Sequence, residues 1–215
     1  MSTYPVHYRL ERPASMSRLQ LGIRIVAFLA LGLFGISFGT VFLCAFVALP
    51  AIASVRLSTG DRDRRAYLTE DGPRIVGALR WFAAIAAWAS LLTDRLPDRT
   101  PQEVLSLSVD TDPTRTPTPG AALLRIITGI PSAIVLGILG WIGLFVWLWA
   151  ALTVLVTARI GEGAHAYLVG VQRWSIRLLA YQAALVDEYP PFSFAESPPG
   201  PDAVAVQSRR GNQPA

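Results

Sequence analysis

The chain has 215 residues, of which 52% are apolar and only 16% charged, well below the roughly 25% charged found in soluble domains. Its 19 basic residues include no lysine, and the arginines are scattered along the chain, which argues against the clustered basic face of a nucleic-acid footprint. The single cysteine, Cys44, excludes an intrachain disulfide framework, and no Cys/His spacing suits zinc.

Taken in chain order, Val6 to Glu11 (VHYRLE) alternates with period two and predicts a short strand. No charge falls between Arg24 and Arg56. As a helix this stretch would span roughly 46 Å, beyond the roughly 30 Å hydrocarbon core. Ala51 and Ala53 resemble a signal-cleavage site, but the apolar run is far longer than a signal sequence carries, so a retained membrane helix is expected. Asp71-Gly72-Pro73 then marks the start of a second, shorter helix over Ile75 to Leu92.

The pattern returns in the second half. Val104 to Val109 (VLSLSV) predicts another strand, and residues 110–120 (DTDPTRTPTPG) read as a Pro/Thr linker. A second uncharged run lies between Arg125 and Arg159, with Trp141, Trp147 and Trp149 inside it. Arg159 to Glu162 is the length of a tight turn, so the helix over Leu168 to Val186 should fold back antiparallel on the long one. Beyond about Glu196 the composition is that of a disordered tail.

Gly77 to Pro97 aligns with Gly170 to Pro190 without a gap, GALRWFAAIAAWASLLTDRLP over GVQRWSIRLLAYQAALVDEYP. Identities include Gly77/Gly170, Arg80/Arg173, Trp81/Trp174, Asp94/Asp187 and Pro97/Pro190. An internal duplication is a known habit of membrane proteins. In this register Trp81, Ile85, Trp88 and Leu92 match Trp174, Leu178, Tyr181 and Leu185, an apolar packing stripe at helical spacing in each copy. Upstream, Leu21 to Ile25 resembles Leu123 to Ile126 at an offset of 101 residues instead of 93, so the first copy carries extra residues in the polar stretch between Ser58 and Gly72.

The expected fold is mainly α and integral to a membrane. It comprises two tandem strand plus helical-hairpin units, with about four membrane or membrane-embedded helices and short strands at the membrane surface. The first repeat unit is 1–98, the Pro/Thr-containing segment with the second strand and linker 99–120, the second unit 104–194 and the tail 195–215. Helices 75–92 and 168–186 either cross the bilayer or lie at its interface, because Arg80, Arg173 and Arg177 are costly at mid-depth. If all four cross, the arginine bias puts both termini in the cytoplasm of a bacterial cell.

Val169-Gly170-Val171-Gln172-Arg173-Trp174, then Ala180-Tyr181, then Asp187-Glu188-Tyr189-Pro190-Pro191-Phe192-Ser193 resembles the signature of a prokaryotic membrane family catalogued as domain of unknown function 4389. The Ile130-Pro131 pair in the preceding apolar run is similar to that family's membrane helix. The second unit matches best, and the first reads as a diverged copy in which Leu96-Pro97-Asp98 replaces the Tyr-Pro-Pro-Phe ending. The resemblance implies membrane residence and no particular activity.

Among candidate residues, Arg80, Arg173 and Arg177 are the sharpest, since intramembrane charge is usually paired or placed on a solute path; the alternative is that they snorkel to lipid phosphates. Asp94 and Asp187 end the short helices, where a carboxylate opposes the helix dipole, so each should pair with an arginine. His7 and His165 are isolated and read as structural, and Glu162 as first-turn helix chemistry. Asp61 and Asp63 form a D-x-D pattern, but Arg62, Arg64 and Arg65 offset them and a solvated loop is expected.

No nucleophile elbow, phosphate loop, dinucleotide fingerprint or zinc-protease motif occurs, so a non-enzyme without cofactor or metal is expected. Two functions follow: a non-catalytic membrane component (scaffold, accessory subunit or lipid-interacting module), or a small-solute or ion transporter or channel working as an oligomer. The expected partners are the lipid bilayer and other membrane subunits or further copies of the chain, with no nucleic acid. A transporter requires a polar cavity between the units.

Overall fold

The computed structural model describes residues 4–59, 66–96, 104–112, 114 and 117–196. In chain order these form β1 (Val6–Arg9), α1 (Arg18–Leu33), α2 (Phe38–Ser58), a π-helical turn (Tyr67–Asp71) leading into α3 (Gly72–Ala89), β2 (Ser106–Val109), α4 (Pro119–Thr157) and α5 (Glu162–Gln182). The two expected strands are each two residues shorter than their sequence windows and pair with each other, antiparallel, with Val6 opposite Val109 and Arg9 opposite Ser106. The loop holding Asp61 and Asp63, residues 97–103, part of the Pro/Thr linker and the tail from 197 lie outside the described residues.

Helix boundaries follow capping chemistry. Ser17 Oγ accepts from the Gln20 amide at 3.4 Å and opens α1, while Thr118 Oγ1 accepts from the Ala121 amide at 3.3 Å and opens α4 with Pro119 at its first position. Each cap satisfies an amide that has no partner within the helix. At the far end of α4, Ala158 turns left-handed with φ 55°.

The first apolar run is not one helix. It breaks between Leu33 and Phe38, where Gly35 adopts φ +67° and the Ile36 and Gly35 amides donate to the Leu31 and Gly32 carbonyls, both at 3.0 Å. This is a Schellman ending, which needs the left-handed backbone that glycine supplies without a Cβ clash. Ser37 Oγ then accepts from the Thr40 amide at 3.1 Å and restarts the helix. Hydropathy registers only that the segment is apolar, so the break escapes a composition argument.

The long helices form one layer. Arg18 donates to the Val156 carbonyl at 3.0 Å, the Phe28 and Trp147 rings meet at 5.6 Å, and Phe46 abuts Gly129. Residue numbers therefore rise in α1 and α2 as they fall in α4, and α1 and α2 follow one another antiparallel along it. The short helices form a second layer. Tyr167 Oη donates to the Leu139 carbonyl at 2.8 Å and Gln182 Nε2 to the Arg125 carbonyl at 2.9 Å, which sets α5 antiparallel to α4. Gln172 Nε2 donates to the Ala83 carbonyl at 2.6 Å, and Gly72 lies beside Leu185, so α3 is antiparallel to α5.

It follows that α3 and α4, consecutive helices, point the same way. Four successive crossings would alternate direction; here α3 and α4 share one, with β2, between them in the chain, packed on α3. The two-stranded sheet packs on that layer, β1 against α5 and β2 against α3. The order is thus long helices, short helices, sheet.

The core sits in the middle layer: 15 of the 21 residues of α5 are buried. By contrast α2 and α4, the two helices among the described residues long and apolar enough to cross a membrane, are only 22% and 11% buried over their most apolar windows. Ile23, Leu29, Phe34, Ile130, Trp141 and Leu152 are among the exposed large apolar side chains of the long-helix layer. Every residue from 28 to 41 is exposed.

Candidate functional site

The polar chemistry of the molecule gathers at the ends of the short helices. At the end of α3, the buried Arg24 of α1 lies over the Trp88 ring, 5.2 Å from its centroid. It donates through Nη2 to the Thr93 carbonyl and, at 3.1 Å, to Asp94 Oδ1. Asp94 Oδ2 in turn accepts from the Ser17 amide at 2.6 Å, tying the start of α1 to the end of α3.

A second clamp has the same parts at the end of α5. Arg125 of α4 lies over the Tyr181 ring at 4.6 Å, donates through Nη1 to the Tyr181 and Val186 carbonyls, both at 2.5 Å, and through Nη2 to Asp187 Oδ1. Arg24 and Arg125, Trp88 and Tyr181, Thr93 and Val186, Asp94 and Asp187 occupy the positions that the sequence alignment pairs. Cation–π contact with an aromatic face and several charge-assisted bonds to one planar guanidinium are what arginine, and not lysine, provides.

The backbone beneath each clamp is also alike. Leu91 and Ala184 adopt left-handed φ values of 61° and 55°. The Leu92 and Leu185 amides reach back to the Ala87 and Ala180 carbonyls at 2.9 and 3.2 Å. Both are Schellman ends built without glycine; Arg125 reaches the Tyr181 carbonyl in the last turn of α5, at the negative end of its dipole, whereas Arg24 bonds the Thr93 carbonyl beyond the end of α3.

The three arginines singled out from sequence do something different. Arg80 Nε donates to the Leu107 carbonyl of β2 at 2.9 Å, and Arg173 Nε to the Tyr8 carbonyl of β1 at 3.2 Å. Tyr8 and Leu107 are partners in the sheet, so the aligned arginines hold opposite strands. Arg173 also donates to the Phe194 carbonyl at 2.5 Å. Arg177 donates to the Ser193 and Ala195 carbonyls at 3.2 and 2.8 Å and lies over the Tyr4 ring at 5.5 Å. Burial pulls Arg173 and Arg177 below the ordinary arginine pKa, opposed at Arg173 by Glu196 and deepened at Arg177 by Arg173; both remain charged, as arginine does in proteins.

The apolar stripes divide. Trp174, Leu178, Tyr181 and Leu185 are all buried, with Trp174 edge-on to Phe192 at 5.1 Å. In the first unit Leu92 is buried, Trp88 half-buried with Nε1 donating to Gln20 Oε1 at 3.3 Å, and Trp81 and Ile85 exposed. Burial of α5 between the other layers explains the difference. Gly170 and Gly77 divide in the same way. A Cβ on Gly170 would lie 2.6 Å from Phe194 Cγ, whereas one on Gly77 meets nothing within 4 Å. Gly170→Ala is expected to lower stability by about 1–3 kcal/mol through overpacking, while Gly77→Ala should gain up to about 1 kcal/mol of helix propensity; thermal melts of the two variants check this.

His7 pairs with Asp110 at 3.0 Å on the outer face of the sheet. His165 is buried, and desolvation, then the charge of Arg12, hold its pKa below the usual histidine value. Among the described residues no three His, Cys, Asp or Glu side chains gather for a metal. A cleft of about 470 Å³ between α4 and α5 is walled by Ile142, Phe145, Trp149 and Tyr167 and is almost wholly apolar.

Sequence reading pointed to an arginine partner for each aspartate without naming Arg24 or Arg125. Both were visible only as the charges bounding uncharged runs, although the alignment at offset 101 already set one over the other.

Residues 119–193, spanning α4, α5 and the segment after it, match the family described as Domain of unknown function (DUF4389). The family resemblance stands over that stretch, in one copy; the strand at 106–109 lies outside it. No curated protein and no solved structure matches the chain.

Proposed function

We propose that this chain is a non-catalytic, membrane-embedded protein that works as a lipid-interacting or scaffolding component, with its arginines serving to hold its own fold. The observation that carries this reading is the exposed apolar surface of α1, α2 and α4, including the run from 28 to 41 with no buried residue. A monomer in water rarely exposes a contiguous apolar patch beyond a few hundred Å², and a helix apolar on all sides belongs in lipid or inside a larger protein.

The two clamps support a further element of the proposal, that the chain arose by internal duplication and that its first half is a diverged copy of the matched domain. A bacterial cell membrane, with both termini on the cytoplasmic side, is the location this proposal carries. Arg80, Arg173 and Arg177 donate to backbone carbonyls, which supports a structural role over a solute path.

The test is extraction. Membranes containing the full chain, washed with alkaline carbonate, should retain it, and detergent should be needed to release it as a monodisperse species. Release by carbonate, or a detergent-free soluble monomer, would overturn the reading.

A further inference from the structure

We propose that the paired long helices lie in the plane of the membrane, with the outer face of α1, α2 and α4 sunk into one phospholipid leaflet and the short helices and sheet in water. This rests on the membrane reading above and specifies how the bilayer is engaged.

Length is the first reason. The uncharged part of α4, residues 126–157, runs roughly 48 Å along its axis at 1.5 Å per residue. Fitting that into a hydrocarbon core of about 30 Å requires a tilt of about 50°, outside the roughly 0–40° range of membrane-spanning helices. The antiparallel α1 and α2 extend alongside it for nearly its whole length, from Arg18 beside Val156 to Phe46 beside Gly129 and beyond.

The second reason is where the polar layer sits. Leu139 lies beside Tyr167 and Arg125 beside Gln182, which places Arg173, and the β1 carbonyl it binds, near the middle of α4. The outer face of the sheet carries His7, Arg9, Ser106 and Ser108. His7 is paired with Asp110 at 3.0 Å and Arg9 with Glu196 at 2.7 Å. Upright helices would carry the exposed Arg9, Asp110 and Glu196 to the depth of the acyl chains. Laid flat, the same helices put the whole sheet on the side away from lipid.

The break between α1 and α2 gives a third. Phe28 beside Trp147 and Phe46 beside Gly129 bracket it, so it also falls near the middle of α4. Irregular backbone facing lipid does not occur within the hydrocarbon region, yet an upright arrangement sets this exposed turn at the bilayer centre. In the plane, it rests at the headgroup–acyl boundary that interfacial helices occupy. Charge fits as well: exposed Arg18 and Arg159 stand at one end of the apolar tract and exposed Arg56 at the other, level with headgroup phosphates.

The experiment uses the full chain in phosphatidylcholine–phosphatidylglycerol vesicles. Nitroxides are attached singly at Leu123→Cys, Ile138→Cys and Leu155→Cys in a Cys44→Ser background, and depth is read from collisional relaxation by oxygen against a water-soluble nickel chelate. All three labels should lie at one depth, within about 5 Å of each other, and Ser108→Cys should react fully with a membrane-impermeant maleimide. A deep label at 138 flanked by shallow ones at 123 and 155, with Ser108→Cys protected, would overturn the in-plane arrangement and leave the membrane reading intact. Labels that all contact water, with the protein free of the vesicles, would overturn both.

Discussion

Arg125→Ala should lower stability by about 3–6 kcal/mol, since each of its two hydrogen bonds to buried carbonyls involves a charged group and is worth about 1.5–3 kcal/mol, and lower the melting midpoint in detergent by about 10 °C. The reason lies in what the guanidinium holds. It bonds the Tyr181 and Val186 carbonyls and Asp187 while covering the Tyr181 ring. Alanine takes the guanidinium from both carbonyls in a buried helix end; Tyr181 keeps the Ala184 amide at 3.0 Å, while Val186 loses its charged donor at about 1–3 kcal/mol. Asp187→Asn should change stability by less than about 1 kcal/mol, because the Asp187 side chain is 60% exposed and solvent screens the pair. Arg125→Lys should fall between, since an ammonium on a flexible stem does not reproduce the planar fork. Equal losses from Arg125→Ala and Asp187→Asn would mean that the ion pair, and not the carbonyl contacts, holds the helix end.

The clamp also shows which parts of the molecule could be read from residues alone. The alignment of the halves contains every member: Arg24 over Arg125 at one offset, Trp88, Thr93 and Asp94 over Tyr181, Val186 and Asp187 at another. What residue order cannot supply is that the two windows meet in space, and so Arg24 and Arg125 passed as mere boundaries of apolar runs. The strands were legible from alternation at Val6 and Ser106, but their pairing with each other was not, because they lie about 100 residues apart.

Direction was harder still. Apolar length and the short turn at Arg159 set α4 against α5, as the contacts around Tyr167 and Gln182 show. The parallel run of α3 and α4 is set by where β2, between them in the chain, packs, and nothing in the periodicity of either helix encodes that. The break at Gly35 had a local cue, glycine followed two residues later by a serine cap, but hydropathy averaged over it.

Gly129→Ala should be the most damaging single-methyl change, at about 2–5 kcal/mol. A Cβ at this position would lie 2.1 Å from Gln182 Nε2 and 2.9 Å from Phe46 Cε2. Here α2, α4 and α5 close on one another, so the glycine is required by close approach and not by its own backbone angles. Gln182 is fully buried and its amide donates to the Arg125 carbonyl at 2.9 Å; displacing it costs about 1–3 kcal/mol for the lost bond, and overpacking against Phe46 adds about 1–3 kcal/mol. The clash and the lost bond share one side chain, so the effects should not add. Gln182→Ala makes room for the methyl, and the double variant should be less destabilised than the two single losses together, with a coupling of about 1–2 kcal/mol in a double-mutant cycle. Strict additivity would mean that Phe46 alone opposes the methyl, and the gap at Gly129 would then belong to the α2–α4 contact and not to the junction of all three helices.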